Sequence, residues 1–118
     1  MIVNEAEVYC KPPYDESWYL RPAEELIRFW DAAGLSPLKR VTVEIRPAPL
    51  QDYLQIGFDV LVESTTLLVV TEVFEEMLQF YPDILGKMAA EALHLQLHDN
   101  PAFNDFWLHH AKVPNLKA

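Results

Sequence analysis

The stretch that decides the fold of this chain is LQIGFDVLVE, residues 54–63. Its apolar side chains alternate with others at a period of two, which is typical of a strand with one buried face. The same stretch also fits a helix, because apolar residues recur at helical spacing after Pro49 (Leu50, Leu54, Phe58 and Leu61). β-Branched side chains and Gly57 disfavour a helix, so the sequence predicts a strand.

The stretch KRVTVEIRP, residues 39–47, alternates in the same way and lies just upstream. APLQDY, residues 48–53, fits a turn between the two. We therefore expect residues 41–45 and 54–62 to pair as an antiparallel hairpin. Its buried face should carry Val41, Val43, Ile45, Ile56 and Phe58. A helix over 50–63 would overturn this interpretation and the fold built on it.

Patterns on either side of the hairpin predict the remaining elements. Residues 2–9 alternate loosely and indicate a first strand. Pro22 suits a first helical position and Gly34 a left-handed stop, which predicts a helix over 22–33. After Ser64, β-branched residues favour a strand at first, but the spacing of Val70, Phe74 and Met77 predicts a helix that begins near 67, or as late as 72.

Two more helices are expected towards the C-terminus. One covers 83–98, with an apolar face through Ile84, Met88, Ala89, Leu93 and Leu97. The next has Asn100 as its cap and Pro101 at its first position. The sequence thus predicts one α+β domain over 1–118, with a loose tail at about 113–118. Its order is β-α-β-β-α-α-α, in which helices cover one face of a small antiparallel sheet.

The net charge of the chain is −9, and its distribution is uneven. Residues 47–86 contain seven carboxylates and neither Lys nor Arg. Nucleic acids and anionic membranes would be repelled by such a surface, whereas a protein with a basic surface would be attracted. The longest purely apolar run, LLVV at 67–70, is far shorter than the roughly 20 residues that span a bilayer. We expect a soluble, cytoplasmic protein.

Motifs for catalysis are scarce. The chain has three glycines, too widely spaced for a phosphate-binding loop, and one cysteine, Cys10. Cys10 lies at a strand end before Lys11-Pro12-Pro13, which does not resemble an activated turn. The sequence therefore favours a protein without enzymatic activity and without a cofactor.

All four histidines lie in the C-terminal quarter, at 94, 98, 109 and 110. Glu91, His94 and His98 would share one face of a helix over 83–98, at a spacing that could ligate a metal ion. Structural roles explain these histidines as well, and His109 and His110 suit the negative end of a last helix. A small enzyme or metal-binding protein that uses these helices is the alternative hypothesis, and we expect no stoichiometric metal.

The loop PPYDESWYLRP, residues 12–22, presents aromatic side chains beside acidic ones. Exposed aromatics with charged neighbours are typical of protein-binding surfaces. The leading hypothesis is an inhibitor, immunity-type or adaptor protein that binds a basic partner. Its predicted contact residues are Tyr14, Trp18, Tyr19, Asp59, Glu63, Glu72, Glu75 and Glu76. A third hypothesis is a homodimeric ligand-binding or assembly subunit.

Overall fold

The computed structural model describes residues 1–12, 14–47 and 53–97. These residues form a five-stranded sheet with strand order β1-β2-β3-β4-β5, together with three helices. The predicted α+β class is confirmed. The elements in chain order are β1 (Ile2–Val3), β2 (Ala6–Cys10), α1 (Glu16–Ala32), β3 (Leu38–Pro47), β4 (Tyr53–Val62), β5 (Thr65–Phe74), α2 (Glu75–Phe80) and α3 (Pro82–Leu97).

The hairpin of β3 and β4 is the centre of the sheet and confirms the decisive prediction. The strands pair antiparallel, with Val41 opposite Val60, Val43 opposite Phe58 and Ile45 opposite Ile56. All five residues that were predicted to be buried on this hairpin are buried, together with Val60 and Val62. The helical alternative for 50–63 is therefore excluded for residues 53–62.

The predicted helix beginning at 67 or 72 is wrong, because residues 65–74 form strand β5. Leu67, Val69, Thr71 and Val73 alternate to the buried side, and the strand pairs antiparallel with β4 along its whole length. A two-residue turn at Glu63 and Ser64 connects the strands, with Glu63 at a positive φ of 54°. The β-branched composition of this stretch favours the strand, whereas the spacing of Val70 and Phe74 also fits a helix. Helix α2 begins only at Glu75.

The N-terminal strand is a small hairpin and not one continuous strand. Asn4 and Glu5 adopt positive φ values of 48° and 72°, so the chain turns back between β1 and β2. Strand β2 then pairs parallel with β3, because α1 connects them as a crossover. The expected purely antiparallel sheet is therefore wrong, and the sheet is mixed.

Helix α1 begins six residues before the predicted start. Pro22 lies inside the helix and is buried, so its role as a first helical residue was wrong. The end of the helix was predicted well: Gly34 has a φ of 73°, and its N–H donates to the Asp31 carbonyl at 3.0 Å. A left-handed residue directly after a helix is readily supplied by glycine.

Helices α1 and α3 contact each other on one side of the sheet, where α1 also contacts β2 and β3 and α3 contacts β5. Helix α3 begins one residue before its predicted start, but its buried face is rotated. Of the five residues predicted on it, Ala89 and Leu93 are buried, Met88 and Leu97 are half-buried and Ile84 is exposed. Leu85, Gly86 and Ala92 are buried as well. Gly86 lies on the side of this helix that faces α1, since a Cβ atom there would be 2.6 Å from the Leu26 backbone nitrogen. The helix predicted from Asn100 and the tail at 113–118 lie outside the described residues. None of the described helices combines the length and apolarity needed to cross a membrane.

Candidate functional site

A groove of about 300 Å³ opens on the helical side of the molecule, where the first turns of α1 meet α2. Its lining is half apolar and half polar: Ser17, Trp18, Arg21, Leu78, Gln79 and Phe80. The predicted aromatic loop thus contributes one wall, since Trp18 belongs to it. The second wall comes from α2, a helix that the sequence placed too early.

Trp18 is held from its N-terminal side by Tyr14. The two rings stack with centroids 4.9 Å apart and an interplanar angle of 27°. The backbone N–H of Tyr14 donates to the hydroxyl of Tyr19 at 3.1 Å. Tyr19 is only 1% exposed, so this predicted contact residue lies in the core and fixes the loop from beneath. Tyr14 and Trp18 remain half-buried at the surface.

Pro22 shapes the same wall through the backbone. A proline has no N–H, so it cannot donate the helical hydrogen bond to the carbonyl four residues earlier, which is that of Trp18. The Trp18 side chain lines the groove. Pro22 therefore removes one regular hydrogen bond of α1 beside the residue whose ring lines the groove.

The other wall continues into an exposed apolar strip that the sequence analysis missed. Phe80 is 67% exposed, and Tyr81 and Ile84 follow it at the junction of α2 and α3 with 48% and 43% exposure. The available signal was the aromatic pair Phe80-Tyr81 directly before Pro82, because a proline there marks the boundary between two helices. Ile84 had been assigned to the buried face of α3.

The five acidic residues among the predicted contact residues do not lie together on one face. Asp59 and Glu72 point away from the helices, because they alternate with buried residues of β4 and β5. Glu63 lies in the turn between these strands and accepts a hydrogen bond from the Ser36 hydroxyl at 2.9 Å. Glu75 and Glu76 form the first turn of α2, so only these two belong to an element that lines the groove.

Charge near the groove is nevertheless acidic. Asp15 and Glu16 begin α1, and Glu75 and Glu76 begin α2; all four side chains are exposed. Arg21 is the cation among the groove's lining residues. Acidic side chains at a helix N-terminus also interact favourably with the helix dipole, so part of this acidic character stabilises the helices themselves.

The metal hypothesis rests on Glu91, His94 and His98. Glu91 and His94 are half-buried on α3, and His98, His109 and His110 lie outside the described residues. Within the described ranges, no group of three His, Cys, Asp or Glu side chains is placed to hold a metal ion. The set of three that the sequence suggested therefore stays untested, as does the expectation of no bound metal.

Cys10 is partly buried at the end of β2 and is a free thiol. Burial raises the pKa of this thiol above its ordinary value, and the nearby Glu16 carboxylate raises it further. A catalytic cysteine needs the opposite shift, since the thiolate is the nucleophile. Neither its burial nor the Glu16 carboxylate favours the thiolate form of Cys10.

The groove is thus lined by two aromatic rings, a leucine side chain, one guanidinium, one hydroxyl and one amide. Such a lining suits the binding of a side chain, with apolar surface for contact and a few polar groups for orientation. Comparison of the chain with known protein families, with curated proteins and with solved structures found no match.

Proposed function

We propose that this chain is a non-enzymatic protein-binding domain, an inhibitor, immunity-type or adaptor protein, whose groove between α1 and α2 receives an apolar side chain of a basic partner. The observation that carries the proposal is Phe80, a phenylalanine with 67% of its surface exposed at the rim of a groove walled by Trp18. Aromatic side chains are enriched at protein interfaces, where the residues that dominate the binding energy cluster around well-packed pockets.

The size and chemistry of the groove suggest which part of a partner it would bind. A volume of about 300 Å³ accommodates one or two side chains and is small for a drug-sized ligand. The Trp18 ring and the Phe80 ring offer apolar faces. The Ser17 hydroxyl and the Gln79 amide, which also line the groove, can form hydrogen bonds with polar groups of the partner. A partner loop that carries an apolar side chain beside a Lys or Arg fits this combination.

The surrounding carboxylates favour a basic partner. Asp15, Glu16, Glu75 and Glu76 outnumber Arg21, so the field around the groove is negative. Complementary charge accelerates association and selects among partners more than it adds affinity. The groove would then provide the short-range contact and the carboxylates the long-range attraction.

The first experiment compares two variants as bait in affinity capture from the native host. Phe80→Ser removes the exposed ring at the groove, and Ile2→Ser removes an equally exposed apolar side chain on β1, 67% against 69%. We expect Phe80→Ser to lose a partner that both the unchanged chain and Ile2→Ser retain. Loss with both variants, or with neither, would contradict a role for the groove.

The second experiment measures association with that partner as a function of salt. Screening shortens the Debye length to about 8 Å at physiological ionic strength, so association should slow roughly tenfold or more from low to high salt. Reversing Glu75 and Glu76 to Lys should slow it similarly. Glu72→Lys, on the opposite side of the sheet, should have little effect. A rate indifferent to salt and to the Glu75 and Glu76 reversals would refute the electrostatic part of the proposal.

A further inference from the structure

Strands β4 and β5 carry apolar side chains on the side that points away from the helices, here called the outer face. Residues 67–70 read Leu-Leu-Val-Val, and Leu67 and Val69 are buried towards the helices. Leu68 and Val70 point outward and are 52% and 37% exposed. The half-buried Leu61 of β4 lies on the same side. A strand that is apolar on both sides is typical of a strand that is covered on both sides.

The apolar part of this side of the sheet is narrow and ends at β4. On the neighbouring β3 the outward side chains are polar, and Glu44 forms ion pairs with Lys11 at 3.8 Å and with Arg46 at 3.5 Å. Tyr9 on β2 is exposed, but its hydroxyl donates to the Glu7 carboxylate. Two strands about 4.8 Å apart form a face roughly 10 Å wide, which is the diameter of one helix. The outer face thus has room for one helix and is too narrow for a second sheet.

The chain leaves α3 directly beside the outer face. The Leu68 N–H donates to Gln96 Oε1 at 3.2 Å, and Gln96 Nε2 donates to the Leu68 carbonyl at 3.3 Å. These two hydrogen bonds hold the last turn of α3, which ends at Leu97, against the edge of β5. Residues 98–100 span at most roughly 10 Å, which is sufficient to pass around this edge strand to the outer face.

The segment that follows, residues 98–118, lies outside the described residues, and its sequence indicates what it supplies. Asn100 and Pro101 predict the start of a helix. Phe103, Phe106 and Trp107 recur at a spacing of three and four residues, so they would share one side of that helix. A helix of about three turns is marginal in water by itself and gains its stability from packing an apolar side. The segment therefore supplies an aromatic side that needs an apolar surface.

We propose that residues 101–111 form a helix whose aromatic side packs on the outer face, alongside β5 and in the same direction as that strand. Leu68 is the fourth residue of β5, so most of the outer face extends from it towards Phe74. There the rings of Tyr53 and Phe74 contact each other, with centroids 4.3 Å apart, and continue the apolar surface. A helix over 101–111 covers roughly 16 Å, which corresponds to about five residues of a strand.

Charge supports this direction. Strands β4 and β5 contain Asp59 and Glu72 but neither Lys nor Arg, and both carboxylates point outward. A helix that begins beside Leu68 and covers about five strand residues brings its last turn to Glu72. This last turn carries His110, and Lys112 follows it. The basic end of the helix thus meets the end of β5 that carries a carboxylate.

A second exposed apolar surface, the strip of Phe80, Tyr81 and Ile84, lies farther from the start of this segment. Roughly 20 Å of α3 separates Ile84 from Leu97. A helix that starts at residue 101 begins far from that strip, whereas it begins beside Leu68. The place where the chain leaves α3 therefore selects the outer face.

Cross-linking within the full chain tests where the segment lies. All chains carry Cys10→Ser and His110→Cys. The first adds Glu72→Cys, which the proposal places beside position 110. The second adds Thr66→Cys, roughly 20 Å away on the same strand, and the third adds Ile84→Cys at the start of α3. A short bismaleimide should link the first pair within one chain at least tenfold more efficiently than the other two, as read from the masses of the tryptic peptides.

Three results of this experiment would overturn the proposal. The first is a preferred link from position 110 to Thr66→Cys or Ile84→Cys, since the segment would then run in the opposite direction or lie on the strip. The second is a link that joins two chains, because the segment would then cover a second copy. The third is the absence of a preferred link in any of the three chains.

Alkylation of a thiol on the outer face tests whether that face is covered. Leu68→Cys, in a chain with Cys10→Ser, should react at least tenfold faster once Trp107→Ser is added, because this substitution removes part of the aromatic side. Leu108→Ser is the matched control, since residue 108 lies on the opposite side of the predicted helix, and it should leave the rate unchanged. Asp59 lies beside position 68 in all three chains, so its carboxylate affects each rate equally.

Equal alkylation rates with Trp107→Ser and with Leu108→Ser would overturn the proposal. The thermal unfolding of each variant confirms that it is folded, so a change in rate reports the cover alone. The cross-linking chains retain Phe103, Phe106 and Trp107, so that experiment decides the proposal if Trp107→Ser fails to fold.

Discussion

Gly86 of α3 is in backbone contact with Leu26 of α1. A Cβ atom at position 86 would lie 2.6 Å from the Leu26 backbone nitrogen and 2.6 Å from the Glu25 Cβ. Real Cβ atoms do not approach backbone atoms so closely. The two helices can therefore pack at this distance only because position 86 lacks a side chain.

Gly86→Ala should destabilise the domain even though alanine is the better helix former. The helical preference contributes about 1 kcal/mol in favour of alanine, whereas forcing apart a packed pair of helices costs about 1–3 kcal/mol or more. Urea unfolding should show a net loss of stability. Gly57→Ala is the control, because its new methyl group meets ordinary contacts; equal losses for both variants would contradict the close helix contact.

Phe58→Ala should remove the largest side chain of the central hairpin core. Phe58 is fully buried on β4, opposite Val43, so its deletion should cost about 3–5 kcal/mol. Asp59→Ala changes the neighbouring residue on the exposed side and should stay within about 0.5 kcal/mol. Chemical denaturation of the two variants checks the difference. A loss below about 1 kcal/mol for Phe58→Ala would show that this core is not formed.

Gln96→Ala should expose part of the sheet's edge strand. The Leu68 N–H donates to Gln96 Oε1 at 3.2 Å, and Gln96 Nε2 donates to the Leu68 carbonyl at 3.3 Å. The side-chain amide thus pairs with β5 as a neighbouring strand would, which protects an edge from pairing with another chain. In Gln96→Ala, hydrogen exchange of the Leu68 amide should accelerate. The free energy of unfolding should fall by about 1 kcal/mol.

The control for this variant is Gln79→Ala, since Gln79 is an exposed glutamine on α2. It should leave the exchange of the Leu68 amide unchanged. Equal protection of that amide in Gln96→Ala and in the unchanged chain would contradict the edge contact.

Cys10 should react slowly with alkylating reagents near neutral pH. Burial and then the Glu16 carboxylate raise the pKa of its thiol, so the thiolate fraction at a given pH is smaller than in a free cysteine. Glu16→Gln removes one of these causes and should speed alkylation at fixed pH. Glu24→Gln, on the same helix, should not. Alkylation of the folded chain as fast as free cysteine would show that the thiol is not shielded.

The local pattern of the sequence determined the parts of the fold that depend on neighbouring residues. The hairpin of β3 and β4 followed from strict alternation, and the end of α1 followed from Gly34, whose φ of 73° suits glycine. It also indicated Trp18 as a surface aromatic, because a loop with two prolines precedes it. These features need few distant contacts, so the sequence was sufficient.

Tertiary contacts decided the rest. The residues of β5 have a pattern that fits both a helix and a strand. They form a strand because their backbone groups find hydrogen-bonding partners in β4 along the whole length of β5. Pro22 is tolerated inside α1 because the helix is held by its buried face. Tyr19 lies in the core and Phe80 at the surface, although both are aromatic, because helix packing determines which side chains are covered. The groove between α1 and α2 joins segments about sixty residues apart, and only the packing of the helices onto the sheet brings them together.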